Sequence, residues 1–588
     1  MGKKKQRGAV AVGAKAPTAD KNGIGDNATK AKAKANFKAS ESSSGSDIDI
    51  GLLFAIVVGL PFCFCKLLVW TVLSIPSWAL LFILWPMPIC GGRPPTLQSW
   101  SQSWRFLTRY TWGNPKLLGR RKLFLTLAIL EHTIKSPMFA VCWMVDEILY
   151  GKQFQGIKLG EKEEDGVDMV FVVSGYRSAS THLARSLLEQ DESESTTTTT
   201  TSDLSFVSPN SMMMSVPYLW MWNFVSWFVG DLTETEKTGD SKTKKETEAE
   251  TETETAKQNT PPSLHPTLSK SQVRSWYREK YSAECLERHD FDPFAVDTLD
   301  LSFLSCHLNG LAWQYCLDSS DPEVVWKEFQ YAKHIPENQQ LYEVDFLRHI
   351  DRLARKTILF RQSTSTSSST STSNKSTRTR TRTNKNKNSA ILFKGHFLSI
   401  VPALVKQYPG AKFVTVLRDP CDRLKSAINY TAVNPSISGA MNRRNHEHWK
   451  VLATTLEETE AEYCLRELET FDSGNSNGNG QDSTFLSIHY DALAPSRKID
   501  TISAVQRWLL GNEGSVPSAS SGKRSIAKNK NTSVGSTSTV TSKKTKKPKK
   551  YKVDKTLHEV GIDEVSYRNR LVAYTNYMKE IGSKKKIA

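Results

Sequence analysis

The 588-residue chain has little cysteine, nine residues in all. None stands in a CxxC pair or in another metal-ligand spacing. That excludes a zinc module or a dense disulfide framework as the organising device. Cys63 and Cys65 lie inside an apolar run, and the others leave room for one or two disulfides. The chain also lacks a Gly-Lys-Ser or Gly-Lys-Thr triplet, and with it the GxxxxGK[ST] loop that a P-loop kinase needs. Positive charge is not spread over the molecule. The formal net charge of +17 is carried by residues 1–50, 375–387 and 543–550, so the remainder is close to neutral. Those basic segments read as solvated tails and loops rather than a nucleic-acid surface, and no nucleic-acid partner is expected.

Apolar residues are scarce in five stretches: 191–203, 233–258, 363–389, 473–483 and 513–550. Ser, Thr, Lys, Glu, Gly and Asn fill them, and such segments cannot offset the entropy cost of ordering. They are expected to be disordered insertions. The blocks between them would make one α/β domain over 166–512. A basic tail (1–50), a membrane segment (51–90) and a helical juxtamembrane region (91–165) would precede it. A closing helix with a basic tail would occupy 551–588.

Residues 51–90 contain one charge, Lys66. About 20 apolar residues cross a bilayer as a helix, so membrane insertion is expected. Fifty mostly polar residues precede the run, which does not fit a cleaved signal peptide. Pro61, Lys66 and Pro76 divide it, leaving one helix around 67–85 or a hairpin of two short segments. Flanking charge does not choose, since Lys32, Lys34 and Lys38 balance Arg93, Arg105 and Arg109. The terminal "KKKIA" has dilysine retrieval spacing at Lys585 and Lys586, or is an ordinary basic tail. Residues 123–145 suggest an amphipathic helix on the membrane or the domain. Residues 204–232, rich in Met and Trp, suggest a pocket wall, a membrane-facing lid or a second span.

"VFVVSGYRSASTHLARSL" (171–188) runs from an apolar strand through a small polar turn into a helix. The first N–H groups of a helix lack intrahelical partners, and its dipole adds positive charge there, so the turn suits an anion. Ser178, Ser180 and Thr181 add hydroxyls, and Arg177 adds a permanent forked cation. The turn resembles the 5′-phosphosulfate loop of the sulfotransferases, with Arg177, Ser178, Ser180, Thr181 and Leu183 in place. Ala179 replaces the usual glycine, and Tyr176 stands where proline is common.

A second segment, "ILFKGHFLSIVPALVKQYPGAKFVTVLRDPCDRLKSAINY" (391–430), carries strands at Ile391–Phe393 and Lys412–Leu417 around a helix. α/β sheets bind ligands at such strand ends. Arg418, Pro420 and Ser426 match the spacing of the sulfotransferase 3′-phosphate motif, and Asp422 is a candidate cap for the following helix. Lys394 and His396 match the family's Lys-x-His triplet, whose histidine is the general base. An imidazole suits that role near neutral pH, and a carboxylate such as Glu343 or Asp345 is the rival. Weaker likeness covers 485–510, with Tyr490, Asp491, Leu493 and Pro495, and the terminal helix at 557–578.

The resemblance implies a sulfotransferase fold: α/β, with a P-loop-like parallel sheet flanked by helices. It implies transfer of a sulfonate group from 3′-phosphoadenosine-5′-phosphosulfate to a hydroxyl or amine of a glycan, lipid or other membrane-presented acceptor. Arg177, Ser178, Ala179, Ser180, Thr181, Arg418 and Ser426 would hold the donor. His396, Arg177 and Lys394 would be catalytic, with no metal. A membrane in the Golgi, or alternatively the endoplasmic reticulum, is the expected location. Sequons at Asn27, Asn374, Asn429 and Asn531 bear on it. The alternative is a non-catalytic membrane scaffold on the same fold.

Overall fold

The computed structural model describes residues 60–87, 89, 104, 106–113, 119–160, 166–193, 205–232, 268–299, 336–367, 389–433, 446–476, 484–509 and 554–584, apart from 280 and 496. The chain divides into two units, 1–66 and 67–588. The low-complexity stretches lie largely outside the described residues, as do Lys585, Lys586 and three of the sequons. The described helices continue to Ser193, Ser367 and Ser476, each a few residues into a stretch expected to be disordered.

Five parallel strands form one sheet: β1 (Asp168–Val173), β2 (Ser205–Val207), β3 (Ser389–Gly395), β4 (Lys412–Leu417) and β5 (Phe485–His489), in the order β2-β3-β1-β4-β5. β1 and β4 are near-continuous apolar runs because helices cover both faces of a parallel sheet. Alternation splits them between two cores: Met169, Phe171 and Val173 face one, while Val170 and Val172 face the other. On the first face Phe393, Phe171, Phe413 and Phe485 sit opposite one another in register and stack at centroid distances of 5.9, 5.2 and 5.3 Å. Such in-register aromatic pairs fix strand alignment.

The helices, in chain order, are α1 (Leu60–Leu84), α2 (Gly119–Gln155), α3 (Ser180–Ser193), α4 (Ser211–Ser215), α5 (Leu219–Val229), α6 (Lys270–Arg278), α7 (Ala283–Arg288), α8 (Pro336–Ser367), α9 (Val401–Gln407), α10 (Pro420–Val433), α11 (His446–Ser476), α12 (Lys498–Leu509), α13 (Glu564–Arg570) and α14 (Val572–Lys584). α1 is continuous through Lys66 and Pro76, and Phe64–Leu84 is long and apolar enough to cross a membrane; residues 51–59, on which the hairpin reading also depends, lie outside the described residues. α5 has 11 residues, about 16 Å at 1.5 Å per residue. That is half the hydrocarbon thickness of a bilayer, so 204–232 does not form a second span. It divides instead into edge strand β2 and two short helices. Among the described residues Cys65, Cys142, Cys285, Cys421 and Cys464 are free thiols.

Candidate anion-binding site at the strand ends

β1, β3 and β4 end side by side, and the order reverses about central β1, which is where open α/β sheets leave a crevice. The turn 174–179 joins β1 to α3. Ser178 donates its hydroxyl proton to Gly175 O at 2.9 Å, so Ser174 is the donor in the 2.6 Å bond between the two serines. Ser178 and Ser180 are buried, and Thr181 is half-buried. Arg177 and Ala179 have left-handed backbones, φ 57° and 71°. A Cβ makes that region cost about 1–2 kcal/mol per residue, so Ala179 adopts the glycine-like conformation and bears the strain.

The turn is held from behind. Gly175 N donates to Glu467 Oε1 at 2.6 Å. A Cβ on Gly175 would lie 2.6 Å from the Arg423 guanidinium, so a side chain has no room there. Arg423 is fully buried and pairs with Glu460 and Glu467, each at 2.7 Å. Tyr574 of α14 donates to Glu467 Oε2 at 3.1 Å.

Segments 241 residues apart meet at the front, where Arg418 donates to the Arg177 carbonyl at 2.7 Å. Arg177 Nε donates to Ser426 Oγ at 3.1 Å, and its terminal nitrogen donates to Arg288 O at 2.9 Å. Tyr430 lies under Arg177 and Tyr490 under Arg418, at 4.7 and 4.6 Å. Arg418 Nε is buried with no hydrogen-bond partner. Burial, with the charges of Arg418 and Arg288 added against the opposing Tyr430, pushes the Arg177 guanidinium down from its ordinary value. A guanidinium nevertheless stays charged, so the positive charge crowded here favours an anion.

At the end of β3, His396 Nδ1 lies 2.7 Å from Ser174 O, and a carbonyl only accepts, so Nδ1 carries the proton. Lys394 Nζ is 3.2 Å from Nε2. Burial, then the Lys394 charge, pushes the imidazole well below its ordinary value. His396 is therefore the neutral Nδ1–H tautomer, with its lone pair facing Lys394. Of the rival carboxylates, Asp345 is buried and pushed up to about 6 by that burial, and the side chain of Glu343 lies outside the described residues.

Asp422 is not the cap of α10. Asp419 accepts from the N–H groups of Cys421 (3.0 Å) and Asp422 (3.1 Å), and Asp422 is exposed. The cap sits directly after Arg418 because the strand ends there. Several residues at the site carry no sequence signal. His289 Nε2 lies 3.4 Å from buried Asp297, and Thr298 bridges to Lys394. Burial opposes ionisation of Asp297, but the His289 hydrogen bond and the nearby Lys394 and Arg185 charges outweigh it and hold the carboxyl below its usual range. Arg423, Glu460 and Glu467 look like surface charges in the sequence. Asn429, although in a sequon, is buried and bonds to the Lys555 backbone in both directions at 2.9 Å.

No family model matches the chain, and no curated protein does. Among solved structures, a sulfotransferase from Mycobacterium tuberculosis is similar over 71% of this chain and 84% of its own, at 12% identity and a TM-score of 0.38.

Proposed function

We propose that this protein is a membrane-anchored sulfotransferase. It transfers a sulfonate group from 3′-phosphoadenosine-5′-phosphosulfate to a hydroxyl or amine of a glycan, lipid or other membrane-presented acceptor. The observation that carries the reading is the junction of two motifs: Arg177, in the turn after β1, reaches Ser426, and Arg418 bonds back to that turn. The turn, with Arg177, Ser178, Ala179, Ser180 and Thr181, takes the 5′-phosphosulfate end, and Arg418 with Ser426 takes the 3′-phosphate. Both pockets are cationic, which suits a donor with phosphate at each end.

Lys394 and His396 act in sequence. Donor binding draws the Lys394 ammonium toward the bridging oxygen and releases the His396 Nε2 lone pair. Nε2 then takes the acceptor proton as the acceptor atom bonds to sulfur. The bridging O–S bond breaks, and its electron pair stays on the 5′-phosphate. Arg177 and Lys394 neutralise charge where it develops, and losing one such donor typically costs about 100-fold or more in rate. A second assignment of the base has one observation in its favour: both ring nitrogens of His396 have partners, whereas Asp297 orients His289 through Nε2 and leaves Nδ1 for a proton.

The experiment is sulfate transfer from labelled donor by the full-length protein in detergent, with calorimetry of donor binding. Arg177→Ala and Arg418→Ala should each abolish donor binding. Unchanged binding in both variants defeats the site. Donor binding with no transfer to any acceptor favours the scaffold alternative, to which strained Ala179 also lends weight. The anchor is α1, in a Golgi or endoplasmic reticulum membrane. Sugar at Asn374 or Asn531 would put the domain in the lumen.

A further inference from the structure

α1 continues into an aromatic shelf. Trp78, Leu81, Leu84 and Trp85 pack on Ala140, Val141, Met144 and Val145 of α2. One turn farther along α2, Ile148 and Leu149 are 47% and 56% exposed. α5 is fastened at that point. The Asp146 carboxylate accepts from the N–H groups of Leu219 (2.8 Å) and Trp220 (3.0 Å), and Asn223 donates to Tyr150 OH at 3.1 Å. Residues 146 and 150 of α2 thus meet 219–220 and 223 of α5, so the two helices run alongside in the same direction. The uncovered side of α5 presents Phe224 and Trp227, 55% and 60% exposed, and both rings pack on Phe228 at 5.1 and 4.9 Å. Lys152, one turn beyond Ile148 and Leu149, is exposed.

We infer that this shelf lies in the interfacial layer of a phospholipid bilayer, with Ile148, Leu149, Phe224 and Trp227 among the headgroups and upper acyl chains. Continuity selects lipid as the occupant. α1 exposes Val69, Val72, Leu73, Phe82 and Ile83, which already require an apolar surround, and the shelf begins where α1 ends. Its composition fits that depth. Tryptophan and phenylalanine gather at membrane interfaces, and an adjacent lysine reaches the headgroups. Phe224 and Trp227, three residues apart, share one face of α5, while Leu219, Trp222 and Val229 are buried, so the helix has one lipid face and one protein face, as an interfacial helix needs. The inference rests on α1 as the membrane span and not on sulfate transfer.

The test incorporates p-benzoyl-phenylalanine separately at Leu73, Phe224, Trp227 and Ile499 of the full-length protein, reconstituted in phosphatidylcholine vesicles. Light-driven adducts are then identified by mass spectrometry. Lipid adducts are expected at positions 73, 224 and 227, several-fold above those at 499, which lies on exposed α12. Lipid at 73 but adducts to protein at 224 and 227, whether the same chain or a second copy, overturns the shelf and keeps the span. No lipid at 73 overturns both. None of these outcomes depends on catalytic activity.

Discussion

Two buried ion-pair clusters hold two different edges of the molecule. Behind the anion turn, one cation, Arg423, faces two carboxylates, Glu460 and Glu467, and all three side chains are fully buried. Beneath α5, Lys356 pairs with Asp146 at 2.8 Å, while Arg352 pairs with Glu147 at 2.7 Å. The charges match in the second cluster and do not in the first. Asp146 also takes two N–H groups at the start of α5, so a helix end supplies part of its compensation. The first cluster has no surplus. Its second carboxylate is sustained by Gly175 N–H and Tyr574 OH, which belong to the turn and to the C-terminal segment. A buried ion pair is weak evidence for stability, because desolvation can exceed the Coulombic gain. What each cluster secures is a position: the back of the turn in one case, the start of α5 in the other.

Removing the cations should separate the two most sharply. Arg423→Ala leaves two buried carboxylates facing each other, and loss of one partner in such a pair costs about 3–5 kcal/mol. Lys356→Met leaves Asp146 with its two helix N–H groups, so its cost should fall to about 1–3 kcal/mol. Urea unfolding of the detergent-solubilised protein checks the order, and equal losses would erase the distinction.

A smaller effect concerns pH. Burial raises Glu460 from its ordinary 4.5 to about 7, with Arg423 opposing. The folded state therefore keeps a proton that the unfolded chain releases at lower pH. The stability tied to that proton is intact below about pH 4.5 and drains away as pH rises through about 7. Glu460→Gln keeps an acceptor for Arg423 and removes the titration, so the fall in Tm between about pH 5 and pH 8 should shrink. An unchanged pH profile would show that Glu460 is ionised throughout. The cluster beneath α5 has its own control, since Lys356→Met should leave this part of the profile unaltered.

The smallest change is at the front of the turn. Ala179→Gly relieves the left-handed strain at φ 71° but frees the unfolded chain, for a net gain of about 0.5–1 kcal/mol. A stabilised variant whose donor binding also changes would show that the strain shapes the anion pocket and not the fold alone.

The strands and the turn were legible because their signals are local. β1 and β4 are short apolar runs that stop at polar residues, and Arg177, Lys394, His396, Arg418 and Ser426 keep fixed distances from those stops. The support behind the turn was not legible. Arg423, Glu460 and Glu467 belong to residue types that are mostly exposed, and only the packing of α10 against α11 reveals that they share one interior. Asp422 suits a cap by residue type, but the strand ends at Leu417 and α10 begins at Pro420, and this gives the role to Asp419. The 25-residue continuity of α1 was hidden by Pro61 and Pro76. A proline near a helix start is harmless, and an interior one only bends a helix that its surroundings hold.

Asn429 sits in a sequon, but its amide is occupied by the backbone of Lys555, 126 residues downstream. At about 5–20 residues per second, a translating ribosome takes roughly 6–25 s to supply that partner. A chain entering the lumen would therefore show the open sequon to the oligosaccharyl transferase before the fold could seal it. A sugar added in that interval would exclude the Lys555 segment and keep the C-terminal helices from closing over α10. For a lumenal domain, the yield of native protein would then be decided during synthesis, by whether closure outruns glycan addition.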